Sequence, residues 1–384
     1  MSNTIKVLAY MDSEWVQGPP KSLLQFARSS GKAKDGLPGI EISLVVPHRG
    51  EGRLQTPFVE AAESAGLHVD VVRESGPYDL RVVPQLRAMA HRVQPDILET
   101  HNVKPNFLML LSGLWRRYPW IAFHHGYTWT NFRVHAYNQL DRASFRAAKQ
   151  VVTVCDAFVH DLVRRGISRR KIAVQYPAIT PYGPLSVEAE AKVAELRRMV
   201  GPDTRIAVSV GRLSREKGHL TLIRGWGQMR RRWPEERVHL VVVGEGPERA
   251  KIEAELMREG LAGNVTLVGL QLEVQPYYEV ADLLVLPSDS EGPAHVLLEA
   301  MVTRRPIAAT KVGGIPEVVT DETALLVEPG DPDSLADAMY RALHLTEEKR
   351  QRMVKDAEAD ALAFTPERYR RSLIALYQKV LLEG

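Results

Sequence analysis

Apolar runs alternate with helix-like stretches along the chain, in two successive sets. Short apolar runs suited to buried parallel strands lie at residues 5–9, 40–46, 69–72, 97–100, 121–124, 151–154 and 171–179, and then at 206–210, 238–243, 265–268, 283–286 and 306–310. Stretches with apolar residues at helical spacing separate them, for example 83–93, 132–149 and 187–199. This order favours right-handed crossovers and parallel sheets. The pattern therefore predicts an α/β protein with two doubly wound domains.

Proline and glycine interrupt the alternation near the middle of the chain. Pro177, Pro181, Gly183 and Pro184 follow or end the run at 171–179. We therefore predict a Rossmann-like first domain at residues 1–183 and a Rossmann-like second domain at 184–365. Residues 366–384 form a separate amphipathic helix, whose apolar side chains near one stripe are Tyr369, Leu373, Leu376, Tyr377 and Val380.

Composition is that of an ordinary globular protein and narrows the expected location. The chain has 384 residues, of which 45% are hydrophobic and 25% are charged. The single cysteine, Cys155, excludes an intramolecular disulfide and a cysteine-based zinc cluster, so we expect a packed thiol in a reducing compartment. The chain enters its first strand with no signal-peptide pattern, and no apolar run approaches the length of a membrane span. The sequence predicts a cytoplasmic protein.

Charge is distributed unevenly between the two predicted domains. Residues 1–183 contain 23 Lys and Arg against 15 Asp and Glu, whereas the remainder contains 27 against 32. A basic first domain can attract an anionic acceptor or make peripheral contact with an anionic membrane, although a solvated basic surface is the better explanation of any single cluster. The basic clusters carry no interleaved aromatic residues, so nucleic acid is not an expected partner.

The chain is organised around residues 282–301, which read as a strand, a turn and a helix. The helix is apolar on almost every side except at Glu299. A carboxylate in such a helix costs several kcal/mol unless donors meet it, so Glu299 requires hydroxyl or cationic partners. Glu291 lies in the turn, beyond the carboxyl end of the strand, where open parallel sheets bind ligands.

The segment Glu291-Gly292-x6-Glu299-Ala300, followed by Gly313-Gly314-Ile-Pro-Glu, resembles the signature of the retaining glycosyltransferases of family 4, which have the GT-B fold. The resemblance implies two Rossmann-like domains that face one another across a cleft, with the last helix crossing back to the first domain. It also implies that Glu299 holds the ribose of a nucleotide sugar and that Glu291 contacts the donor sugar. The other donor-binding residues implied here are Gly292, Pro293, Ala294, His295 and Val296. A structural alternative has Glu291 capping the helix and Glu299 paired with a core arginine.

A second segment, Gly211-Arg212-Leu-Ser-Arg-Glu-Lys217-Gly218, resembles the basic signature of the same family. Arg212 and Lys217 would lie between a strand and a helix start, where two cations and backbone N–H groups can hold a diphosphate. The alternative is an exposed loop with ordinary basic residues. Two cations would remove the need for a divalent ion, so neither a metal nor another cofactor is expected. Asp331-Pro332-Asp333 has the spacing of a metal site, but we predict that Asp331 is a helix N-cap.

Two other loops match the family less closely. The first loop keeps one glycine, Gly18, where the family usually has two, and Pro19 and Pro20 offer no N–H to a phosphate. Gly18 is retained as a donor-binding candidate in a loop that can also shape the acceptor site. Leu270 and Gln271 follow a strand at the position where the family packs on the nucleotide base.

Histidines follow two predicted strands of the first domain. His125 precedes Gly126 and matches the family's active-site histidine, whereas His124 is expected to pack at the end of its strand. His101, Asn102 and Tyr127 are candidates for acceptor contact because they lie at the same sheet edge.

The resemblance implies a retaining hexosyltransferase that uses a nucleoside-diphosphate sugar, UDP- or GDP-linked, and we expect it to act without a metal and by a front-face route. We expect the second domain to bind the donor and the first to bind a sugar, lipid-linked or small-molecule acceptor, in polysaccharide or glycoconjugate biosynthesis. The assigned catalytic residues are His125, Arg212, Lys217 and Glu291. Two alternatives remain: a nucleotide-sugar epimerase on the same fold, and a non-catalytic binding or scaffold subunit.

Overall fold

The computed structural model describes residues 4–16, 18–50, 54–76, 79–126 and 141–383, which divide into two compact units. The first unit comprises Met1–Ala178 and Thr365–Gly384, and the second comprises Ile179–Phe364. The terminal helix is therefore part of the first unit.

The first unit contains a sheet of seven parallel strands in the order β3-β2-β1-β4-β5-β6-β7. Buried apolar residues run through most of these strands because helices cover both faces of the sheet. The strands are β1 (Thr4–Met11), β2 (Gly39–His48), β3 (His68–Arg73), β4 (Ile97–His101), β5 (Trp120–His124), β6 (Gln150–Thr153) and β7 (Ile172–Val174).

The helices of the first unit include one from the far end of the chain. They are α1 (Pro19–Ser30), α2 (Pro57–Ser64), α3 (Val82–Val93), α4 (Val103–Ser112), α5 (Asp156–Arg164) and α13 (Pro366–Leu382), and residues 141–147 are also helical. In α13, Leu373, Tyr377 and Val380 pack in the same core cluster as Phe26 of α1. Their burial confirms the apolar stripe predicted for this helix.

The second unit contains a sheet of six parallel strands in the order β10-β9-β8-β11-β12-β13. Its strands are β8 (Arg205–Val210), β9 (Val238–Val243), β10 (Val265–Gly269), β11 (Leu283–Leu286), β12 (Ile307–Thr310) and β13 (Leu325–Val327). Its helices are α6 (Val187–Val200), α7 (His219–Arg232), α8 (Arg249–Arg258), α9 (Gln275–Val280), α10 (His295–Val302), α11 (Pro332–Leu343) and α12 (Glu347–Ala361). Both sheets confirm the predicted doubly wound α/β class.

The strand order reverses once in each sheet, between β1 and β4 in the first and between β8 and β11 in the second. The crossovers on the two sides of such a point run to opposite faces of the sheet, which leaves a crevice at the carboxyl ends of the strands. Each unit therefore presents one edge suited to ligand binding.

Two details differ from the predicted elements. The last strand of the first sheet is only Ile172–Val174, rather than 171–179, because it pairs with β6 alone and the chain reaches Pro177 soon afterwards. Helix α4 was not predicted, since Pro105 in its first turn resembles a break. Residues 132–140 of the predicted helix 132–149 lie outside the described residues. None of the described helices is long and apolar enough to cross a membrane.

Candidate active site

Two predicted site residues form an ion pair at the carboxyl edge of the second sheet. The Lys217 ammonium lies 2.8 Å from Oε1 and 2.6 Å from Oε2 of Glu291. The Ser288 hydroxyl also donates to Glu291 Oε2, at 2.9 Å. Both charged side chains are partly buried, with 26% of Lys217 and 10% of Glu291 exposed. Strands β8 and β11, on the two sides of the reversal point, thus bring the two signature segments together.

Glycines allow the loops at this edge to touch through their backbones. Gly313 has φ of 52°, and a Cβ built there would lie 1.8 Å from the carbonyl oxygen of Glu291. The N–H of Gly314 donates to that same oxygen at 3.0 Å. Gly218 has φ of 65°, and its Cβ would lie 1.9 Å from the carbonyl oxygen of Pro287. The turn that carries Glu291 is therefore fixed by contacts that only glycine permits.

Further backbone hydrogen bonds hold the loop 211–218 in place. The Leu213 N–H donates to Glu245 O, and the Asp289 N–H donates to Glu216 O, both at 2.9 Å. Arg212 is exposed on this loop, and no ion pair joins it to a carboxylate of the described residues. Its guanidinium is thus open to an anionic ligand, whereas Lys217 is already paired with Glu291.

Helix α7 begins directly after this loop, with His219 as its first residue. His219 is 3% exposed, and burial lowers the pKa of its imidazole to about 4, with a smaller contribution from the Lys217 charge. The ring is therefore neutral at physiological pH. The positive end of the helix and the two basic residues remain the sources of positive potential at this edge.

Glu299 lies in α10 and is 5% exposed. Its Oε2 accepts a hydrogen bond of 2.6 Å from the Tyr278 hydroxyl. Burial, together with the Glu299 charge, raises the pKa of Tyr278 well above its ordinary value, and the same causes raise the pKa of Tyr182. The expectation that Glu299 would need a hydroxyl or cationic partner is confirmed by a tyrosine hydroxyl.

The remaining donor-binding candidates surround this edge at different depths. Pro293 and Ala294 are buried, whereas Gly292, His295 and Val296 are partly exposed at the start of α10. Leu270 and Gln271 follow β10, which is an edge strand, and the Gln271 side-chain amide donates to Val268 O at 3.1 Å. The loop after β12 approaches Glu291, and the loop after β10 lies farther along the sheet.

The corresponding edge of the first sheet carries a chain of hydrogen-bonded side chains. His125 Nε2 lies 3.0 Å from Nδ1 of His101, and Nε2 of His101 lies 2.7 Å from Oε1 of Glu99. The Tyr377 hydroxyl of α13 donates to Oε2 of the same carboxylate. Phe123 stacks on His101 with ring centroids 4.4 Å apart, and the two histidine rings are nearly parallel, at 10°. Glu99 and His101 are 1% and 3% exposed, whereas His125 is partly exposed.

His124 and Asn102 lie at the same edge of the first sheet but have different neighbours. His124 packs against the rings of Phe145 and Phe158, and burial lowers its pKa to about 4, as expected for a packed histidine. The Asn102 side-chain amide donates to Asp12 O at 3.4 Å, next to the Lys104 ammonium, which lies 2.8 Å from the Asp12 carboxylate.

Gly18, Tyr127 and Asp331 are three further positions singled out in the sequence. Gly18 precedes α1 with φ of 58° and has open space where a Cβ would stand. Tyr127 lies outside the described residues. Asp331 caps α11 by accepting from the N–H groups of Asp333 and Ser334, as predicted. In the described ranges, no three His, Cys, Asp or Glu side chains are grouped as metal ligands would be.

Two family models match the chain, one on each unit. Residues 37–178 match the glycosyl transferase 4-like domain, and residues 204–344 match the glycosyl transferases group 1 domain. The two matches include the strands and loops that build both edges. Both units of the chain thus match glycosyltransferase domains, and the chain has the GT-B fold.

Curated glycosyltransferases are similar in sequence over different lengths. A Bacillus subtilis (strain 168) protein named as the teichuronic acid biosynthesis glycosyltransferase TuaC is 29% identical over 334 residues, which are 84% of this chain and 77% of its own. The α-D-kanosaminyltransferase of Streptomyces kanamyceticus is 34% identical over 174 residues, 44% of each chain. The match to the α-D-kanosaminyltransferase thus spans less than half of the length of that protein.

The crystal structure of Anabaena HepE with UDP and glucose superposes with a TM-score of 0.80 at 19% identity. It covers 98% of this glycosyltransferase and 100% of the HepE chain. At this identity, the likeness establishes the shared fold.

Four residues of this glycosyltransferase contact site residues but were not identified from the sequence. They are Ser288 and Tyr278 in the second unit, and Glu99 and Tyr377 in the first. Of these four residues, only Glu99 could have been found from the sequence. It is an acidic residue within the buried strand β4, and a buried carboxylate requires hydrogen-bond donors. Tyr377 was recognised as part of an apolar stripe, and its hydroxyl was not considered.

Proposed function

We propose that this glycosyltransferase moves a hexosyl group from a nucleoside-diphosphate sugar to a hydroxyl acceptor with retention of anomeric configuration. In this proposal Arg212 and Lys217 stabilise the charge of the departing diphosphate, so that no divalent ion is needed. Glu299 binds the ribose, Glu291 positions the donor sugar, and His125 contacts a substrate from the first unit. UDP is the first donor nucleotide to test, since the similar fold of HepE was crystallised with it.

The observation that supports this proposal most strongly is the Lys217–Glu291 ion pair. It places a cation suited to a diphosphate within hydrogen-bond distance of a carboxylate suited to sugar hydroxyls. These two groups occur side by side in the donor, where the anomeric carbon is joined to the diphosphate. Lys217 would therefore bind the diphosphate of a nucleotide sugar, and Glu291 would bind its sugar.

The same contacts favour a front-face route over double displacement. A carboxylate nucleophile needs an oxygen lone pair directed at the anomeric carbon. Both oxygens of Glu291 already accept hydrogen bonds, from Lys217 and Ser288, which lowers their nucleophilicity. We therefore propose that the acceptor attacks on the side from which the diphosphate leaves.

Isothermal titration with UDP, GDP, ADP, TDP and CDP tests the donor site. One diphosphate should bind the wild type and bind Lys217→Ala, Arg212→Ala and Glu299→Ala at least about tenfold more weakly, which is the loss of one charge-assisted or well-made hydrogen bond. Lys251→Ala is the matched control, because this exposed lysine of α8 pairs with Glu248, the residue that precedes the helix. Its affinity should equal that of the wild type.

Product analysis tests the reaction. Transfer that persists in excess EDTA and gives a product with the donor's anomeric configuration supports the proposal. A glycosyl group trapped on a side chain would contradict the front-face route. An epimerised donor without transfer would favour the epimerase alternative, and no binding of any diphosphate by the folded protein would favour a scaffold role.

A further inference from the structure

Basic residues collect at the amino ends of three neighbouring strands of the first sheet. Strands β5, β6 and β7 lie side by side in that order and are parallel. The segments that lead into them therefore lie at one edge of the sheet, opposite to the edge that carries His125. These segments are residues 114–119, 146–149 and 164–171, which together form the amino-edge surface. They contain nine Lys and Arg residues and no Asp or Glu.

Contacts between these segments join them into one surface. The Lys149 N–H donates to the carbonyl oxygen of Trp120, the first residue of β5, at 3.0 Å. The Lys171 ammonium donates to the carbonyl oxygen of Arg146 at 2.8 Å. A Cβ built on Gly166 would lie 3.4 Å from Nη2 of Arg146. The basic clusters are thus separate in the sequence but adjacent in the fold.

Carboxylates neutralise little of this charge. Arg165 pairs with Asp161 at 2.7 Å. Among the residues that the structure describes, no carboxylate forms an ion pair with the other cations of the surface, and all of these except the two lysines are exposed. They are Arg116, Arg117, Arg146, Lys149, Arg164, Arg169, Arg170 and Lys171. The amino-edge surface therefore presents a concentrated positive charge to the solvent.

The amino edge of the second sheet is different. Its arginines lie next to carboxylates, with which they form ion pairs. These pairs are Arg205–Glu236, Arg232–Asp337 and Arg237–Asp203. A doubly wound fold does not by itself require an edge of unpaired cations, so the charge of the first unit calls for an anionic partner.

Exposed apolar side chains lie next to the charged groups. Leu111, in the last turn of α4, is 40% exposed, and Val163, in the last turn of α5, is 42% exposed. Trp115 is partly exposed, and its indole N–H donates to the carbonyl oxygen of Leu110 at 3.1 Å. Cations beside aliphatic and indole groups are typical of surfaces that contact the headgroup region of an anionic bilayer.

The aromatic rings of the surface disfavour nucleic acid as the partner. The Arg116 guanidinium lies 4.4 Å from the centre of the Trp115 ring, and the Arg117 guanidinium lies 5.3 Å from the centre of the Tyr118 ring. One face of each ring is therefore covered by a cation of the protein itself. Proteins that bind single strands instead keep aromatic faces open for the bases to stack on.

We propose that the amino-edge surface binds the headgroups of an anionic lipid bilayer. Its arginines and lysines contact the lipid phosphates, and Leu111, Val163 and Trp115 contact the headgroup region. Strands β5 and β6 separate this surface from the edge of His125 by roughly 15 Å, so contact with a bilayer leaves the ligand edge of the first unit open. The inference is independent of the proposed function, because it uses no residue of either candidate site.

Sedimentation of the full-length protein with vesicles tests the proposal. The protein should bind vesicles made of equal parts phosphatidylglycerol and phosphatidylcholine, and it should not bind vesicles of phosphatidylcholine alone. Raising the salt from about 0.1 M to about 1 M shortens the screening length from about 10 Å to about 3 Å and should release the protein. Equal binding to both kinds of vesicle, or binding that salt does not weaken, would overturn the proposal.

Substitutions of equal charge locate the contact. Arg116→Ala combined with Arg117→Ala should weaken binding to the anionic vesicles about 10- to 30-fold. Arg232→Ala combined with Arg237→Ala lowers the net charge by the same amount at the amino edge of the second sheet, and it should weaken binding less than about threefold. Equal losses would show that net charge alone attracts the vesicles, and the proposed surface would then be wrong.

Two further variants separate charge from shape. Arg169→Ala combined with Arg170→Ala should weaken binding as much as the Arg116 and Arg117 pair does, because both pairs belong to one surface. Arg116→Lys combined with Arg117→Lys keeps the charge and should retain binding within about threefold. If this lysine variant binds as weakly as the alanine variant, at an unchanged melting temperature, the contact depends on guanidinium geometry and the lipid proposal fails.

A polarity-sensitive dye reports the contact of the apolar side chains. The native Cys155 is fully buried, so a thiol-reactive dye should label Leu111→Cys selectively. The emission of this dye should shift to shorter wavelength when anionic vesicles are added. The same dye on Met257→Cys, at a position 73% exposed in the second unit, should not shift. A shift at residue 257 alone would place the contact on the other unit and contradict the proposal.

A single-stranded oligonucleotide provides the last comparison. At equal salt, we expect the protein to bind the anionic vesicles more tightly than the oligonucleotide. The reverse order, with the Arg116 and Arg117 substitutions weakening oligonucleotide binding, would assign the amino-edge surface to nucleic acid and overturn the proposal.

Discussion

The two sheet edges present their functional side chains by different means. In the second unit, backbone contacts fix the turn of Glu291, including a Gly313 whose Cβ would stand 1.8 Å from a carbonyl oxygen. In the first unit, side-chain hydrogen bonds from Glu99 and His101 hold His125. Gly126, next to His125, faces a side chain instead of backbone, since its Cβ would lie 2.9 Å from Phe158 ring atoms.

This difference explains why one edge can be recognised from sequence more readily than the other. Backbone approach requires glycine at given positions, so the second edge produces a motif with fixed spacing. A hydrogen-bonded chain of side chains can be built from several residue types on separate strands and helices. Its members, such as Glu99 and Tyr377, are 278 residues apart and leave no local pattern.

The largest expected effect concerns the charge pair of the second edge. Glu291→Gln should lower the transfer rate at least about 100-fold, because the sugar loses a charged partner. The affinity for UDP should stay equal or rise, because Lys217 is released from its competing carboxylate. Titration and steady-state kinetics measure the two quantities, with the exposed Glu328→Gln as control. A parallel loss of UDP affinity would show that Glu291 does not compete for Lys217.

The second prediction tests the backbone contacts. Gly313→Ala should destabilise the second unit by about 3 kcal/mol or more, because the Glu291 turn must move, and UDP binding should weaken with it. Gly66→Ala is the matched control in the first unit: its φ is 80° but no atom lies within 4 Å of the added Cβ. Only the backbone strain of about 1–2 kcal/mol is expected there. Urea unfolding measures both, and equal shifts would contradict the comparison.

The third prediction concerns a buried carboxyl of the first unit. Burial raises the pKa of Asp141 to about 7, although a hydrogen bond from Asn106 opposes the rise. The folded state therefore binds more protons than the unfolded state between pH 4 and 7, so stability falls as pH rises through this range. Asp141→Asn removes the effect.

The variant should gain on the order of 2–3 kcal/mol relative to wild type between pH 5 and pH 7. Thermal unfolding at the two pH values measures this gain. A difference that does not change with pH would mean that Asp141 is not protonated in the fold. The buried His124 has the opposite sign, since its pKa is lowered to about 4 and its contribution is lost as pH falls from 6.5.

The smallest effect concerns the far end of the hydrogen-bonded chain. Tyr377→Phe removes the hydroxyl that donates to Glu99 and should cost about 1–2 kcal/mol. Tyr369→Phe alters the same helix, but its hydroxyl makes no identified bond to Glu99 within the described residues, so less than about 0.5 kcal/mol is expected. Thermal unfolding compares the two, and equal costs would assign the effect to helix packing.

Sequence reasoning predicted the fold more completely than the site. Apolar runs such as Leu283–Leu286 coincide with strands because a strand buried on both faces must be apolar throughout. The bounds of α13 agree for a related reason, since its N-cap Thr365 and first-turn Pro366 mark the start. The predicted strand β7 was too long because an edge strand can end where its single partner strand ends. The residues of one strand do not indicate where the neighbouring strand ends.

For the site, the family resemblance implied donor-binding roles for both Lys217 and Glu291, and the structure joins their side chains in an ion pair. The ion pair itself was not predicted. The pattern of one signature segment does not indicate which of its residues lies opposite a given residue of the other signature segment. His101 was a candidate for acceptor contact but is only 3% exposed, since Glu99 and Phe123 contact its ring.

The position of α13 has a consequence for how the protein is made. The first unit is completed by Leu373, Ile374, Tyr377 and Val380, which enter its core after the whole second unit has been synthesised. A nascent chain that lacks α13 would therefore expose an apolar surface of the first unit. Its Glu99 carboxylate would also lack the hydrogen bond from the Tyr377 hydroxyl. Truncation after residue 364 should give a protein that binds hydrophobic dyes and aggregates, and a soluble truncated chain of normal stability would refute this order of assembly. The folding of the first domain is thus completed by a helix that is synthesised after the whole second unit.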